Sequence, residues 1–283
     1  MNPIIKYRGG KSKELKMLLK YLPEFTGRYV EPFFGGGALY FHLEPENAII
    51  NDINGKLMKF YEGVRNDFEK LRIELDGIES LYESNRKEFD LLKKEHPDET
   101  VVDKNESLYY EIRDMFNGKS EKNYSDSLIY YFINKTSYSG MIRHNSKGEF
   151  NVPFGRYKHL NTKIITKEHS SLLQKAQLFN TDYGDIFKIL EKDDFVFLDP
   201  PYDCTFSDYG NKEYREGFTK EEHIRLAENF YGIPCKALMV IGKTELTENL
   251  YRDFVVDEYE KAYSVNIRNR FKSSSIHMVV TNY

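Results

Sequence analysis

The stretch Glu31-Pro32-Phe33-Phe34-Gly35-Gly36-Gly37 constrains this chain most. It follows a short apolar strand start at Tyr29-Val30 and runs into Ala38 to Leu43, which reads as the start of a helix. A second buried run, Ala48-Ile49-Ile50-Asn51-Asp52, comes next, and Gly55 to Val64 after it has helical spacing. Strand, glycine turn, helix and strand within about 30 residues form a βαβ unit, which implies a parallel sheet. Glycines at such a turn let the backbone approach a ligand closely, and the helix start offers free N–H groups. The spacing is not the G-x-G-x-x-G of dinucleotide enzymes, and no run resembles a P-loop.

The same α/β rhythm frames the rest. Ser12 to Tyr21 places Leu15, Leu18, Leu19 and Leu22 at helical spacing, with Ser12 as the expected N-cap. Asp67 to Glu99 is charged with helical spacing (Phe68, Leu71, Leu75, Ile78) and reads as solvated helices outside the sheet. Ser107 to Met115 and the aromatic-rich Ser127 to Lys135 are two more helices, and Asn134 to Lys158 is a Gly- and Pro-punctuated loop or hairpin. Strands return at Gln177 to Thr181, Asp194 to Leu198 and Ala237 to Ile241, with a helix from Thr219 to Tyr231 capped by Thr219. Tyr259 to Val265 and Ile276 to Thr281 read as paired strands closing the chain. The expected organisation is a discontinuous α/β domain, 1–65 plus 165–283, with an inserted module over 66–164.

Length and composition exclude several classes. The 283 residues suit one large domain carrying a smaller insertion. The longest apolar runs, such as Phe195-Val196-Phe197-Leu198, fall far short of a membrane span, and the first residues lack a signal-peptide core. Two cysteines, Cys204 and Cys235, cannot build a disulfide framework, so a reducing cytoplasm is expected. The net charge of −4 argues mildly against a nucleic-acid partner. Its distribution argues the other way: Glu62 to Asp126 holds 18 acids against 11 bases, whereas Lys135 to Lys158 holds five bases against one acid. Lys261 to Ser275 holds four bases and no acid. Two basic islands in an acidic chain suit a localised anionic partner; ordinary patchiness is the competing explanation.

Two features carry chemistry. Asp52 ends the second strand, where a carboxylate accepts both hydroxyls of a ribose. Asp199-Pro200-Pro201-Tyr202 directly follows the strongest buried strand. The prolines fix φ and remove two donors, leaving local carbonyls facing outward. A carboxylate, a carbonyl and a ring suit a planar ligand with an exocyclic amine: the acceptors take its two hydrogens and the ring stacks on its face. A rigid strand-ending turn is the structural alternative.

Lys6-Tyr7-Arg8-Gly9-Gly10-Lys11, Glu31 to Gly37, Asn51-Asp52-Ile53-Asn54, Gly148-Glu149-Phe150-Asn151-Val152-Pro153-Phe154-Gly155-Arg156-Tyr157 and Asp199 to Tyr202 stand in the order seen in Dam-type DNA adenine-N6 methyltransferases. These are the α-group, or D12 class, which the chain resembles over most of its length, weakly across about 60–125 and 203–260. The resemblance implies a Rossmann-like S-adenosylmethionine-dependent methyltransferase sheet with an inserted, mostly helical DNA-recognition domain. It implies a site-specific, adenine-specific DNA methyltransferase acting in a GATC-like site, in the cytoplasm of a bacterial or phage-infected cell. Tyr7 and Lys11 resemble contacts to the methionine part of the cofactor, Gly35 and Gly37 its glycine loop, and Asp52 its ribose acid. Asp185, with Ile186 beside it, resembles the acid that reads the cofactor's adenine, and Asp199 borders the cofactor too.

Asp199, Pro200 and Tyr202 then resemble the catalytic set around a flipped base. Tyr138 resembles an intercalating aromatic, Arg143 and Pro153 neighbours of the outer bases, and Lys6 a guanine reader. Ser139 stands where these enzymes commonly have Asn. Arg156 belongs to the same recognition run. Lys135, Lys147, Lys158, Arg268, Arg270 and Lys272 are expected to meet phosphates. The expected partner is double-stranded DNA, with no membrane, no obligate protein partner and no metal, since direct methyl transfer needs none and the seven histidines show no ligand-pair spacing. Cytosine-N4 or RNA amino-methylation, and a catalytically silent DNA-binding module, remain open alternatives at this stage.

Overall fold

A computed structural model of the chain describes residues 1–7, 9–141, 143–202, 218–263 and 273–283. In chain order the elements are α1 (Leu15–Leu18), β1 (Tyr29–Glu31), α2 (Ala38–Leu43), β2 (Ala48–Asn51), α3 (Gly55–Asn66), α4 (Phe68–Glu95), α5 (Lys104–Phe116) and α6 (Asp126–Thr136). They continue with α7 (Lys167–Gln174), β3 (Ala176–Phe179), α8 (Tyr183–Phe187), β4 (Phe195–Leu198), α9 (Lys220–Tyr231), β5 (Lys236–Gly242), α10 (Glu245–Tyr251), β6 (Val255–Tyr263) and β7 (Ser273–Thr281).

The chain forms two compact units. One comprises residues 1–12, 35–44 and 54–175, and the other 13–34, 45–53 and 176–283. This division does not coincide with the expected partition at 65 and 165, because α3 packs along both α6 and α7.

The second unit holds the whole sheet, seven strands in the order β3-β2-β1-β4-β5-β7-β6. Neighbouring pairs from β3 through β5 are parallel. β7 runs antiparallel to both β5 and β6. This is a mixed α/β architecture, as the Rossmann-like resemblance implies. The parallel strands are short and apolar on both faces, as in β2 and β4, where every residue is buried. Val30, Ile49, Val196, Leu198, Met239 and Ile241 share one core with Leu226 and Phe230 of α9. Thr219 caps α9 through its side chain, as expected.

The first unit is helical and held by rings. Phe60 of α3 stacks on Tyr130 of α6 at 5.4 Å. One uninterrupted α4 replaces the several solvated helices expected over 67–99; it buries Phe68, Leu71, Leu75, Ile78 and Tyr82 along one face. Ser12 is not the cap of α1: that helix begins at Leu15 after Glu14 and has no side-chain cap bond. Short helices α7, α8 and α10 lie where no helix was expected.

Asp194 anchors the entry to β4. It is buried, and both of its oxygens bind Arg28, at 3.0 Å to Nε and 2.6 Å to Nη2, with the Arg28 and Glu191 amides donating as well. Burial pushes its carboxyl up, but the Arg28 guanidinium and those amides outweigh this and hold it below the usual range. Asp194→Asn is expected to cost about 3 kcal/mol in urea unfolding at pH 7, because it removes the buried charge that faces the Arg28 guanidinium. A depressed folded pKa stabilises above the ordinary carboxylate range and is lost as pH falls through the folded value. The gap between wild type and variant should therefore narrow from about pH 5 downward. A gap independent of pH would contradict this role.

Candidate active site and nucleic-acid interface

Because β2, β1 and β4 are parallel neighbours, their carboxyl-terminal ends share one edge of the sheet. Asp52 follows β2 there and Asp199 follows β4. Asn51 braces this edge: its side-chain amide donates to the Pro32 carbonyl at 2.9 Å and the Thr181 carbonyl at 3.1 Å, and its oxygen accepts from the Thr181 amide at 3.0 Å. The ends of β1, β2 and β3 are thereby tied together. Asp52 is buried beside this brace, with its carbonyl receiving the Asn180 side chain at 2.8 Å. Asn54, at the close of the same motif, caps α3.

Asp199 and Tyr202 come together at the end of β4, where the Tyr202 hydroxyl donates to Asp199 Oδ1 at 3.3 Å. Pro200 between them is buried, while Asp199 and Tyr202 are half-buried. A carboxylate and a phenol ring thus stand side by side at the sheet edge. Asp185 lies on α8, exposed, and accepts from Thr181 Oγ1 at 2.8 Å and Lys188 Nζ at 2.7 Å. Those bonds hold its carboxyl below its ordinary range, Lys188 contributing most. Ile186 beside it is buried in the core. The α8 start is itself fixed by Asp182, which caps Gly184 and takes both guanidinium arms of Arg225 at 2.9 and 2.8 Å. Sequence reasoning missed Arg225.

In the first unit, Tyr7 lies against the glycine turn. Gly35 has φ +49°, and a Cβ there would stand 2.7 Å from the Tyr7 ring. Gly37 also takes a left-handed conformation, at φ +62°. Lys11 is buried, with its ammonium on the Gly9 carbonyl at 3.0 Å. Tyr7 is therefore seated on the glycine turn, a cradle whose floor is the bare backbone of Gly35 and Gly36.

The recognition candidates of the first unit also converge. Asn134 clasps the Lys6 backbone in both directions, accepting its amide at 3.0 Å and donating to its carbonyl at 2.7 Å. The Lys6 ammonium lies 4.5 Å from the centre of the Tyr157 ring. The Tyr138 amide donates to the Pro153 carbonyl at 2.9 Å, and Arg143 Nε to the Asn151 side chain at 2.9 Å. Lys6, Tyr138, Ser139, Arg143, Pro153 and Arg156 are all exposed, and Tyr138 shows 53% of its surface. The bridges Ser137↔Phe154 and His144↔Phe150 make this stretch a hairpin-like platform.

Ser139 has φ +54°. Asn adopts that left-handed conformation more readily than Ser, so the residue common in the resembling enzymes fits this turn better. Gly155 has a steric reason: a Cβ would fall 2.9 Å from the Thr136 and Ser137 carbonyls. Asn134 escaped sequence reasoning because its partner lies 128 positions away.

Cys204, Arg268, Arg270 and Lys272 lie outside the described residues. Cys235 is buried, and burial pushes its thiol up to about 12. Among the described residues no cluster of three or more His, Cys, Asp or Glu could hold a metal ion, and no helix is long and apolar enough to cross a membrane. Gly35→Ala is expected to lower stability by about 1–2 kcal/mol, the cost of a left-handed alanine, and to displace the Tyr7 ring. Urea unfolding measures the first effect and near-ultraviolet circular dichroism the second. An unchanged variant would refute the cradle packing.

The D12 class N6 adenine-specific DNA methyltransferase family matches residues 7–267. Type II methyltransferase M.CviBI of Paramecium bursaria Chlorella virus NC1A is 35% identical over 290 residues, covering 100% of both chains. Type II methyltransferase M1.LlaDCHI of Lactococcus lactis subsp. cremoris is 30% identical, covering 100% of this chain and 96% of its own. Retron Ec67 DNA adenine methylase of Escherichia coli is 28% identical over 290 residues, covering 100% of this chain and 92% of its own. A match over nearly the whole length settles the family: the chain belongs to the D12 class of N6 adenine-specific DNA methyltransferases.

Proposed function

We propose that this protein methylates N6 of an adenine turned out of duplex DNA, within a GATC-like site, using S-adenosylmethionine as donor. The observation that carries the reading is the Asp199–Tyr202 pair at the end of β4, 3.3 Å apart. A base inside a duplex cannot present its amine in line with a methyl donor, so the target must leave the stack. Tyr202 is the plate on which the extruded ring rests. The Asp199 carboxylate and Pro200 carbonyl accept the two amine hydrogens, drawing electron density onto a nitrogen whose lone pair is otherwise spread into the ring. Positioning dominates such a displacement, so neither a covalent nucleophile nor a metal is required.

S-adenosylmethionine supplies an activated methyl on a sulfonium. The chemistry of the residues suits it: in the first unit the bare backbone at Gly35 and the flanking Tyr7 admit a close ligand, and in the second unit Asp52 and Asp185 are carboxylates of the kind that accept from hydroxyls and an amine. Lys11 and Tyr7 are assigned to its methionine part, Asp52 to its ribose, and Asp185 with Ile186 to its adenine, and Asp199 borders the methyl. Functionally we assign 1–65 with 165–283 to cofactor binding and catalysis, and 66–164 to target recognition.

On the recognition platform, Tyr138 fills the gap left by the extruded base, and Lys6 and Arg143 read base edges, with Ser139, Pro153 and Arg156 beside them. Lys135, with Arg268, Arg270 and Lys272, meets phosphates. The cell compartment proposed is the bacterial or phage-infected cytoplasm, where its duplex substrate lies. The presence of Asp199 and Tyr202 as a bonded pair favours an enzyme over a silent binding module.

Incubating unmethylated duplexes with labelled S-adenosylmethionine and identifying the labelled nucleoside tests this reading. N6-methyladenine is expected, confined to duplexes bearing GATC-like sites, and Asp199→Ala should abolish it while leaving duplex binding within about threefold. N4-methylcytosine, or a fully active Asp199→Ala, would contradict it. Burial lowers the Lys135 ammonium to about 8, with Lys6 adding repulsion. Only its charged form attracts phosphate, so duplex affinity should fall as pH rises through that value, and Lys135→Arg should flatten the fall. Fluorescence anisotropy at constant salt between pH 7 and 9 checks this, and identical profiles would reject the phosphate role.

A further inference from the structure

We propose that His277 is a positioning residue for Tyr202, itself oriented by a partly buried polar chain through Tyr259 and Glu14. The inference rests on the reading of Tyr202 as the plate for the extruded base.

Register makes the argument. His277 of β7 pairs with Gly242 of β5 on one side and with Tyr259 of β6 on the other. Residues directly opposite in antiparallel strands project to the same face, so Gly242, His277 and Tyr259 form one row across three strands. Tyr202 lies at one end of that row. Its ring meets the His277 ring edge-to-face, with centroids 4.8 Å apart and planes at 74°. A Cβ on Gly242 would stand 3.6 Å from Tyr202 Cβ, so the glycine leaves the ring room to settle on the row.

At the other end the Tyr259 hydroxyl donates to Glu14 Oε2 at 2.6 Å and lies 3.3 Å from His277 Nδ1. The Glu14 carboxylate is 4.0 Å from the same nitrogen and pairs through its other oxygen with Lys261. Tyr259 also packs on the imidazole, at 5.3 Å and 62°. His277 is fully buried. A buried imidazole held on one side by a hydroxyl that is itself anchored to a carboxylate has little rotational freedom, and that rigidity passes to the ring on its other side. Arranged this way, the row fixes the tilt of Tyr202 before any base arrives. The cost of ordering the plate is then met in folding rather than at each turnover.

The test is a double-mutant cycle on single-turnover methylation, with labelled S-adenosylmethionine and an unmethylated duplex. Extrusion is followed in parallel by 2-aminopurine fluorescence at the target position. His277→Ala is expected to slow the single turnover by up to about tenfold, the worth of an aromatic pair, and to weaken the fluorescence rise. Equilibrium binding of S-adenosylmethionine and of duplex should stay within about twofold. In a Tyr202→Ala background, His277→Ala should have no further effect. Tyr259→Phe, which removes only the hydroxyl, should slow the reaction a few-fold and likewise become silent without Tyr202; it carries the test if His277→Ala does not fold. Equal slowing in both backgrounds, or none with Tyr202 intact, overturns the inference alone. A Tyr202→Ala enzyme at the wild-type rate overturns the stacking role of Tyr202 and the inference with it.

Discussion

The brace that Asn51 makes across the carboxyl-terminal edge of the sheet underlies the rest of the site. Parallel strands cannot close their ends with a hairpin, so each leaves backbone groups at its terminus that need partners. Asn51 answers three of them at once, reaching the Pro32 and Thr181 carbonyls and the Thr181 amide. With β1, β2 and β3 held in register, Asp52 and the start of α8 acquire fixed places. Replacing Asn51 by Asp would keep the acceptor but remove both donations, leaving two carbonyls unanswered.

A second device serves the segment proposed for target recognition. The stretch from Phe150 to Asn161 is nearly devoid of regular structure, so its carbonyls find no ladder. Tyrosines on the helices supply donors instead: Tyr109 to Val152 at 2.8 Å, Tyr82 to Tyr157 at 2.7 Å, and Tyr131 to Asn161. Burial raises all three phenols far above their ordinary value, keeping them as neutral donors. The abundance of tyrosine in the sequence has this local meaning: each ring fills core volume while its hydroxyl pins a strand of irregular backbone. Exposed Tyr138, Arg143 and Pro153 are then displayed from a rigid support.

Legibility followed the strength of local signals. β4 was plain from four consecutive apolar residues, and α9 from its threonine cap and apolar spacing. α8 and α10 span too few turns for periodicity to speak. The start of β6 at Val255 was hidden because a bulge between Val255 and Asp257 breaks the alternation that marks a strand. Within the site, Asp52, Asp199 and Tyr202 were visible as residues at strand ends, and the family resemblance supplied roles for the rest. What joined them was not visible. Asn134 grips Lys6 across 128 positions, and His277 meets Tyr202 only through the register of β5 against β7. Such partners are set by tertiary pairing, for which a single sequence carries no local mark.

In the proposed reaction an adenine amine is gripped at the tip of β4. A crystal structure of the protein with a non-reactive S-adenosylmethionine analogue and a duplex carrying the target site tests it most directly. The account predicts an extruded adenine stacked on Tyr202, with N6 within about 2.6–3.2 Å of the Asp199 carboxylate and facing the analogue's methyl position. An adenine still paired in the duplex, or one bound away from Asp199 and Tyr202, would contradict it.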